Sequence, residues 1–334
     1  MPLIAEPLRL DAVIERFPLK TPFRISGHTF EDSAVVTVTL SSGDHRGRAE
    51  ASGVYYFHET VETILADLED VRREVERGVT RQGLQALLPV GGARNALDCA
   101  FWDLDAACAG VPVWSLAGVG APRPLLTTCT IGIDAPEMMA QRARDYVGAR
   151  AIKVKLSGDD LDAERICAVR AAREEVWLGV DGNQGFTPAS LAALLQTLEA
   201  CRVQLIEQPF PRGLDHLLET YDGAIEIALD ESIQTLNDIE GVSPRCQVVN
   251  LKLDKSGGLT EALLMARAAR ARGLKVMVGN MTGTSLGMAP GFIVGQLCDV
   301  VDLDGPLLLA RDRTPAADYV DGYIDCGPQV WGGG

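Results

Sequence analysis

The spacing of hydrophobic and polar positions changes its period about a third of the way along the chain. The first segment alternates apolar and polar residues, as in the run from Val35 to Leu40 ahead of the turn at Ser42-Gly43-Asp44. Such alternation is typical of half-buried strands. Helical spacing follows, from about Thr60 to Gly78 and from about Ala93 to Ala109. Strands followed by helices predict an α+β module of roughly the first 115 residues.

Beyond this module, strand patterns and helical patterns alternate to about residue 310. Eight candidate strands recur at a period of one βα unit, which predicts a closed parallel barrel more than an open sheet. The predicted fold class is α/β, a (β/α)7β TIM-like barrel with an N-terminal α+β capping domain completed by the C-terminal tail. The predicted strands end near Thr130, Lys155, Asp181, Glu207, Asp230, Lys252, Val278 and Asp302.

A Gly- and Pro-rich segment from Leu116 to Pro124 is the best candidate for a domain boundary. We expect three parts: a capping domain at 1–118, a catalytic barrel at 119–310, and a C-terminal segment at 311–334 that packs on the capping domain. Two stretches of the capping domain, near 17–28 and 47–58, are expected to form lid loops over the barrel. The three glycines at the end of the chain are expected to be disordered.

Composition limits the partners of this chain. The formal net charge is −15, from 31 basic and 46 acidic residues, which argues against nucleic acid and anionic membranes as partners. The beginning of the chain lacks the pattern of a signal peptide, and no apolar stretch is long enough to span a bilayer. The eight cysteines are scattered singly, without metal-binding or redox spacing. We therefore expect a cytoplasmic protein with buried thiols and a small-molecule partner.

Two predicted strands carry lysines on the face opposite to their apolar residues. Because alternate strand residues face opposite sides, Lys153 and Lys155 point into the barrel when the apolar set meets the outer helices. The same parity places Asn250 and Lys252 inside. Lys255 has the other parity and lies past the strand end, so we expect it to be a solvated loop charge. A buried lysine is costly unless it has a function; the alternative for the first pair is a surface edge strand.

Three successive predicted strands end in an isolated carboxylate, at Asp181, Glu207 and Asp230. One such residue is commonly a helix cap or a loop acid, and this is the alternative for the set. Three that converge repel one another unless a cation lies between them, and Mg²⁺ prefers oxygen ligands. The sequence therefore predicts one Mg²⁺ per subunit. Neighbours that could orient these ligands are Asn183, Gln208 and Glu231.

The last predicted strand ends in two carboxylates on one face, Asp302 and Asp304. No lysine or arginine neighbours them in sequence, so the pair could bind a cationic group, most simply an ammonium. The alternative is an aspartate turn ahead of Gly305-Pro306.

Together these residues form an ordered set of motifs that resembles the enolase superfamily, in its muconate-lactonizing-enzyme subgroup, over nearly the whole chain. Within that subgroup the chain is most similar to the dipeptide epimerases, through the stretches Thr130–Asp134, Lys252–Glu261 and Asp302–Asp304. The motifs that carry the broader resemblance are Lys153-Val-Lys155, Asp181-Gly-Asn183, Glu207-Gln-Pro209, Asp230-Glu-Ser232 and Asn250-Leu-Lys252.

The resemblance implies a Mg²⁺-dependent epimerase that inverts the α-carbon of the C-terminal residue of a dipeptide, with L-Ala-D/L-Glu preferred. Lys155 and Lys252 act as two bases in a 1,1-proton transfer through a metal-stabilised enediolate. Both lysines need depressed pKa values, for which Lys153 and Mg²⁺ are the candidate sources. A role in recycling cell-wall peptides follows only if the acidic substrate is confirmed.

The resemblance also implies residues that bind the substrate. Asp302 and Asp304 hold the ammonium of the dipeptide, and Lys153 contacts its carboxylate. Thr130, in a stretch shared with the dipeptide epimerases, is a further substrate-binding candidate. Arg24 occupies a lid position that can meet an acidic side chain; the alternative is a surface arginine.

One departure from the family pattern leaves the side-chain specificity open. After the seventh predicted strand the chain has Asn280 and Gly283, where many relatives carry a cysteine and a bulkier or acidic residue. The alternative function is an o-succinylbenzoate synthase or a muconate-type cycloisomerase on the same scaffold, whose substrates carry no ammonium. A non-catalytic metal-binding or assembly protein is a third hypothesis. A homo-oligomer is possible.

Overall fold

The computed structural model describes residues 7–334 of the chain. It begins with a three-stranded antiparallel sheet whose strands, in order across the sheet, are β1 (Leu8–Ile25), β2 (His28–Ser42) and β3 (His45–Ala51). A 3₁₀ turn at Tyr55–Phe57 follows. The helices after it are α1 (Val61–Asp70), α2 (Arg72–Glu76), α3 (Arg81–Leu87), α4 (Gly92–Ala109) and α5 (Val113–Leu116).

The alternation read from the sequence explains how this sheet is covered. Val36, Val38 and Leu40 share one face of β2 and are fully buried, in the same apolar core as residues of α4 such as Phe101. Thr60 caps the beginning of α1: its hydroxyl accepts a hydrogen bond from the backbone N–H of Thr63, and its own backbone N–H donates to the Thr63 hydroxyl. This reciprocal capping satisfies N–H groups that the first helical turn leaves unpaired.

Eight parallel strands follow, and neighbours along the chain pair side by side. The strands are β5 (Thr128–Ile131), β6 (Ala151–Lys155), β7 (Trp177–Asp181), β8 (Leu205–Glu207), β9 (Glu226–Leu229), β10 (Val248–Leu251), β11 (Lys275–Val278) and β12 (Val300–Val301), preceded by the short β4 (Leu125–Leu126). The predicted barrel with its separate N-terminal cap is confirmed. Residues next to the first and last barrel strands are hydrogen-bonded: Thr127 Oγ1 accepts a hydrogen bond of 3.0 Å from the backbone N–H of Leu303.

Helical segments join the barrel strands, and a 3₁₀ helix at Asp215–Thr220 replaces the α-helix between β8 and β9. The α-helices are α6 (Pro136–Asp145), α7 (Asp162–Ala172), α8 (Pro188–Ala200), α9 (Leu236–Glu240), α10 (Leu253–Ser256), α11 (Leu259–Ala271), α12 (Ser285–Gly295) and α13 (Gly305–Leu308).

The inward-facing side chains of the barrel strands change from apolar in the middle of the barrel to charged at its carboxyl end. A small buried cluster of Leu205, Ala228, Val248 and Met277 is distinct from the main core. Leu205 and Ala228 each stand two residues before a predicted metal ligand, so they share that ligand's face of the strand. These inward faces therefore pack apolar side chains in the middle of the barrel, while the predicted metal ligands lie at the carboxyl ends of the strands.

The cap docks on the turn that links α10 to α11. Gly257 and Gly258 have φ of 84° and 109°, conformations that favour glycine. A Cβ at Gly257 would stand 2.3 Å from Nε of Arg94, and one at Gly258 would stand 2.6 Å from Oδ2 of Asp98, both on α4. The two glycines thus let the cap approach the segment that directly follows Lys252.

The C-terminal segment contacts both other parts of the chain. Strand β14 (Tyr323–Asp325) pairs with β4 and with β13 (Asp318–Val320). Trp331 donates its indole N–H to the backbone oxygen of Arg48 at 2.8 Å. The expected disorder of the last glycines is wrong for Gly332, whose N–H bonds Asp103 at 2.8 Å. The domain boundaries at 118 and 310 stay a prediction. Within residues 7–334, none of the helices has the length and apolarity to cross a membrane.

The two expected lid loops are largely regular structure. The stretch near 17–28 is the outer part of the β1–β2 hairpin, in which β1 runs to Ile25 and its register shifts between Pro18 and Phe23. The stretch near 47–58 comprises the end of β3 and the following 3₁₀ turn. The imidazole of His28 stacks on the ring of Tyr55 with centroids 4.8 Å apart, so the two stretches contact each other.

Candidate active site

Three carboxylates stand side by side at the carboxyl ends of neighbouring strands. Asp181 and Glu207 are the last residues of β7 and β8 and are partners in the strand register. Asp230 directly follows β9. All three side chains have 0% exposure. The sequence prediction that these residues converge inside the barrel agrees with this placement.

Each of these carboxylates faces a lysine. Lys155 Nζ donates to Asp181 Oδ2 at 2.5 Å, and Lys153 Nζ donates to Glu207 Oε2 at 3.1 Å. Lys252 Nζ lies 2.5 Å from Asp230 Oδ2. The lysines are almost fully buried, so the predicted inward direction of Lys153, Lys155 and Lys252 is correct.

Burial and opposite charge compete in setting the protonation of these groups. Burial raises the pKa of Asp181, but the ammonium groups of Lys155 and Lys153 outweigh it and leave the pKa below its ordinary value. Glu207 is less well neutralised, and burial together with the charge of Asp181 raises its pKa to about 7. Burial lowers the pKa of Lys252, but Asp230 and the other carboxylates outweigh it and hold the pKa well above the ordinary value. The depressed pKa expected of Lys252 beside Mg²⁺ stays a prediction.

The donor set fits a hard divalent cation. Its atoms are carboxylate oxygens only, which Mg²⁺ prefers. Within residues 7–334, no group of three or more His, Cys, Asp or Glu side chains is arranged to hold a metal ion, and each of the three carboxylates lies against a lysine. To share one ion, the three carboxylates would have to turn from these lysines toward a common centre.

Lys255 is a correction to the sequence analysis. It is fully buried rather than solvated, and its Nζ donates to Asp230 Oδ1 at 2.5 Å and to the backbone oxygen of Asn250 at 3.0 Å. The strand ends at Leu251, and α10 begins two residues later. Strand parity no longer applies in a helical turn, which brings a side chain three residues on to the same side. The Lys-x-x-Lys spacing ahead of a short helix is the signal that could have revealed this residue.

The residues predicted to orient the ligands are buried close to them. Asn250, which strand parity predicted only to point inward, donates Nδ2 to Glu207 Oε1 at 2.6 Å. The side-chain oxygen of Gln208 accepts the backbone N–H of Asp230 at 2.9 Å. Asn183 donates to Glu231 at 3.3 Å. Burial, with the charge of Asp230, raises the pKa of Glu231 to about 8.

The two aspartates after β12 lie beside the lysines. Asp302 accepts hydrogen bonds from the ammonium of Lys153 and from the hydroxyl of Thr128, and Asp304 accepts the backbone N–H of Thr130 at 2.5 Å. Burial raises the pKa of Asp302, but Lys153 outweighs it and leaves the pKa lowered; burial and the charge of Asp302 raise the pKa of Asp304 to about 6. Sequence reasoning missed Thr128, since a threonine two residues before Thr130 carries no distinctive pattern.

A small cavity of about 40 Å³ lies among these groups. Phe23 from the hairpin lines it, whereas the neighbouring Arg24 is exposed and does not line it. The role predicted for Arg24 stays a prediction. This cavity is smaller than the pockets that usually bind small ligands. The other lining residues are Thr130, Lys153, Lys155, Lys252, Asn280, Met281, Thr282, Asp302, Asp304 and Leu308.

Two family models match the chain. The model described as mandelate racemase/muconate lactonizing enzyme, N-terminal domain, matches residues 9–118, and the model described as enolase C-terminal domain-like matches residues 137–326. A curated relative, the L-Ala-D/L-Glu epimerase of Escherichia coli K12, is 37% identical over 93% of this chain and 97% of its own length.

Solved structures of similar proteins have the same fold. An enolase family member from Agrobacterium tumefaciens with homology to dipeptide epimerases, solved with sodium and L-Ala-L-Glu, superposes with a TM-score of 0.94 at 38% identity. It covers 98% of this chain and 100% of its own. The dipeptide epimerase of Methylococcus capsulatus, complexed with Mg and L-Arg-D-Lys, has a TM-score of 0.88 at 31% identity, over 96% and 97% of the two chains.

Proposed function

The chain belongs to the enolase superfamily, in its mandelate racemase/muconate lactonizing enzyme family, and from this premise we propose that it is a Mg²⁺-dependent dipeptide epimerase. The observation that carries the proposal is the opposition of two lysines. Lys155 lies on β6 and Lys252 follows β10, and three barrel strands separate β6 from β10 on either side of the ring. A substrate α-carbon between them would present one face to each lysine.

Such an arrangement inverts a carbon centre by moving one proton off and another on. Nζ of one lysine takes the α-proton from its face, and Nζ of the other returns a proton to the opposite face, so the configuration is inverted. The reverse reaction exchanges the two roles. Held by Asp181, Glu207 and Asp230, Mg²⁺ would supply Lewis-acid stabilisation of the negative charge that develops on the substrate carboxylate.

The proposed substrate orientation follows from the charges around the lysines. Asp302 already accepts a hydrogen bond from one ammonium, that of Lys153, and with Asp304 it would bind the N-terminal ammonium of a dipeptide. Lys153 would then be available to the substrate carboxylate. Thr130, beside Asp304, lines the same cavity. With these contacts, the C-terminal α-carbon of the dipeptide would lie between Lys155 and Lys252.

We propose L-Ala-D/L-Glu as the substrate because of the similarity to the Escherichia coli epimerase and the cationic side chain of Arg24, which is next in sequence to the cavity-lining Phe23. A cytoplasmic location is part of this proposal, supported by the free thiols of all eight cysteines. A homo-oligomer and a part in recycling cell-wall peptides are further elements of it.

The alternative, o-succinylbenzoate synthesis or cycloisomerisation, uses substrates without an ammonium and would leave the two buried aspartates without a cationic substrate group.

NMR in D₂O tests the proposal directly. The protein with Mg²⁺ is incubated with L-Ala-L-Glu, L-Ala-D-Glu and dipeptides with neutral or basic C-terminal residues. We expect deuterium at the C-terminal α-position together with the other diastereomer, fastest for the glutamate peptides. If Asp302→Asn/Asp304→Asn retains full activity, or if only succinyl or lactone substrates react, the alternative reaction is correct.

A further inference from the structure

Glu50 is a buried carboxylate outside the site described above. It lies in β3 and is 4% exposed. Its Oε1 accepts the backbone N–H of Thr284 at 2.7 Å, and its Oε2 accepts the Thr284 hydroxyl at 2.5 Å and Nε of Arg313 at 3.0 Å. One carboxylate therefore joins the cap, the beginning of α12 and the C-terminal segment.

The segment that Glu50 holds is the loop at 279–284, which follows β11 and is called the seventh-strand loop below. The cap also hydrogen-bonds the loop at a second point: the hydroxyls of Ser33 and Ser52 both donate to the backbone oxygen of Thr282, at 2.9 and 2.7 Å. A Cβ at Gly283 would stand 3.1 Å from Oε1 of Glu50. The departure noted at Gly283 therefore coincides with the close approach of Glu50.

The other end of the seventh-strand loop reaches the cavity between the lysines. Asn280, Met281 and Thr282 line that cavity. Asn280 donates Nδ2 to the backbone oxygen of Asp302 at 2.5 Å, and its Oδ1 would stand 2.4 Å from a Cβ at Gly305. Asn280 thus fixes, by this hydrogen bond and by close packing, the backbone that carries both aspartates of the proposed ammonium site.

We propose that Glu50 is a positioning residue that determines how tightly the substrate's N-terminal ammonium is bound, acting through the seventh-strand loop and Asn280 on Asp302 and Asp304. The inference rests on the proposed function and deepens it. Glu50 touches neither the lysines that exchange protons nor the predicted metal ligands. Its loss therefore moves the ammonium site without removing a group that carries out the proton transfer.

The test compares Glu50→Gln with Glu15→Gln in the full-length protein. Glutamine keeps the size of the side chain, but it loses the charge and turns an amide donor toward donors on Thr284 or Arg313. Glu15 is the matched control, since it accepts bonds from the same Arg313 and from Thr37 rather than from the loop. We expect Glu50→Gln to raise KM for the preferred dipeptide about tenfold, with kcat and Mg²⁺ affinity within about twofold of wild type.

Two readouts separate a positioning role from a general loss of stability. The preference for a free dipeptide over its N-formyl derivative, measured as a ratio of kcat/KM values, should fall in Glu50→Gln and not in Glu15→Gln. Hydrogen–deuterium exchange at 279–288 should become faster in Glu50→Gln alone. If Glu50→Gln does not fold, Thr284→Val removes one of the same bonds and should give the same changes to a smaller extent.

The role of Glu50 in ammonium binding would be overturned if Glu50→Gln left both KM and the preference for the free dipeptide unchanged. It would also be overturned if kcat fell and kcat/KM fell equally for the free and the N-formyl dipeptide. Unchanged exchange at 279–288 would overturn its hold on the loop. Wild-type protein with Mg²⁺ that fails on every dipeptide would overturn the proposed function and the substrate part of this inference. The exchange comparison would still decide whether Glu50 holds the loop.

Discussion

The ammonium of Lys255 and the carboxylate of Asp230 form an ion pair from which water is fully excluded. Nζ and Oδ1 are 2.5 Å apart, and neither side chain has any exposed area. Lys252 lies 2.5 Å from the other oxygen, so Asp230 is held between two lysines. Burial raises the pKa of Asp230, but the two ammonium groups outweigh it and keep the pKa well below the ordinary value. Asp230 is thus an ionised, oriented carboxylate at the predicted metal site.

Replacement of Lys255 should weaken metal binding. Lys255→Met keeps the apolar stem but removes the donor that orients Asp230, so we expect Mg²⁺ affinity to fall about 10–100-fold, as measured by titration calorimetry. Lys275→Met is the control, because Lys275 pairs with Glu226 at the exposed opposite end of the barrel. Equal Mg²⁺ affinities in the wild type and in Lys255→Met would show that the pair serves stability alone.

Replacing either of the two proposed bases should abolish proton exchange on one face of the substrate α-carbon only. Lys155→Ala and Lys252→Ala should each lower epimerisation about 10²–10⁴-fold, the usual contribution of a general acid or base. The remaining lysine still reaches its own face of the α-carbon. Each variant should therefore exchange the α-proton of only one diastereomer in D₂O, and the two variants should act on opposite diastereomers by NMR. Exchange of the same diastereomer by both would contradict a two-base mechanism.

Gly279, which follows β11, leaves room for Lys252. A Cβ there would stand 2.7 Å from Oδ1 of Asn250 and 3.1 Å from Cε of Lys252. Gly279→Ala should displace the lysine and lower kcat about tenfold or more, since small displacements of reacting groups are costly. Gly120→Ala is the control, because a Cβ at that position meets nothing within 4 Å. If both variants matched the wild type in steady-state kinetics, a glycine at 279 would not be needed to position Lys252.

Asp98 should make the stability of the protein depend on pH. It is buried where α4 meets α11, with Thr260 as a partner, and burial raises its pKa to about 6. A carboxyl with a raised pKa contributes stability below its unfolded pKa and loses it as the pH rises through the folded value. Between pH 4 and 7 the free energy of unfolding of the wild type should therefore fall by up to about 3 kcal/mol relative to Asp98→Asn. Urea denaturation series in which the two curves stay parallel would disprove this.

Local geometry explains what the sequence determined. Alternation along a strand has a period of two residues, so the inward direction of Lys153, Lys155 and Lys252 followed from their neighbours alone. The βα period placed Asp181 and Glu207 at adjacent strand ends for the same reason. Barrel architecture and the convergence of charges could therefore be predicted. The chemical roles of these side chains remain predictions, to be tested by the experiments above.

Contacts between distant segments were decided only by the tertiary structure. Strand parity failed at Lys255, because the chain turns into a helix there and packing brings the ammonium back to Asp230. The bond between Thr128 and Asp302 forms because the first and last strands meet when the barrel closes. Glu50 reaches Thr284 only because the cap docks on the seventh-strand loop. None of these pairs shares a local period, and their partners are selected by burial, since a buried charge must find an opposite charge or a hydrogen bond wherever the fold provides one.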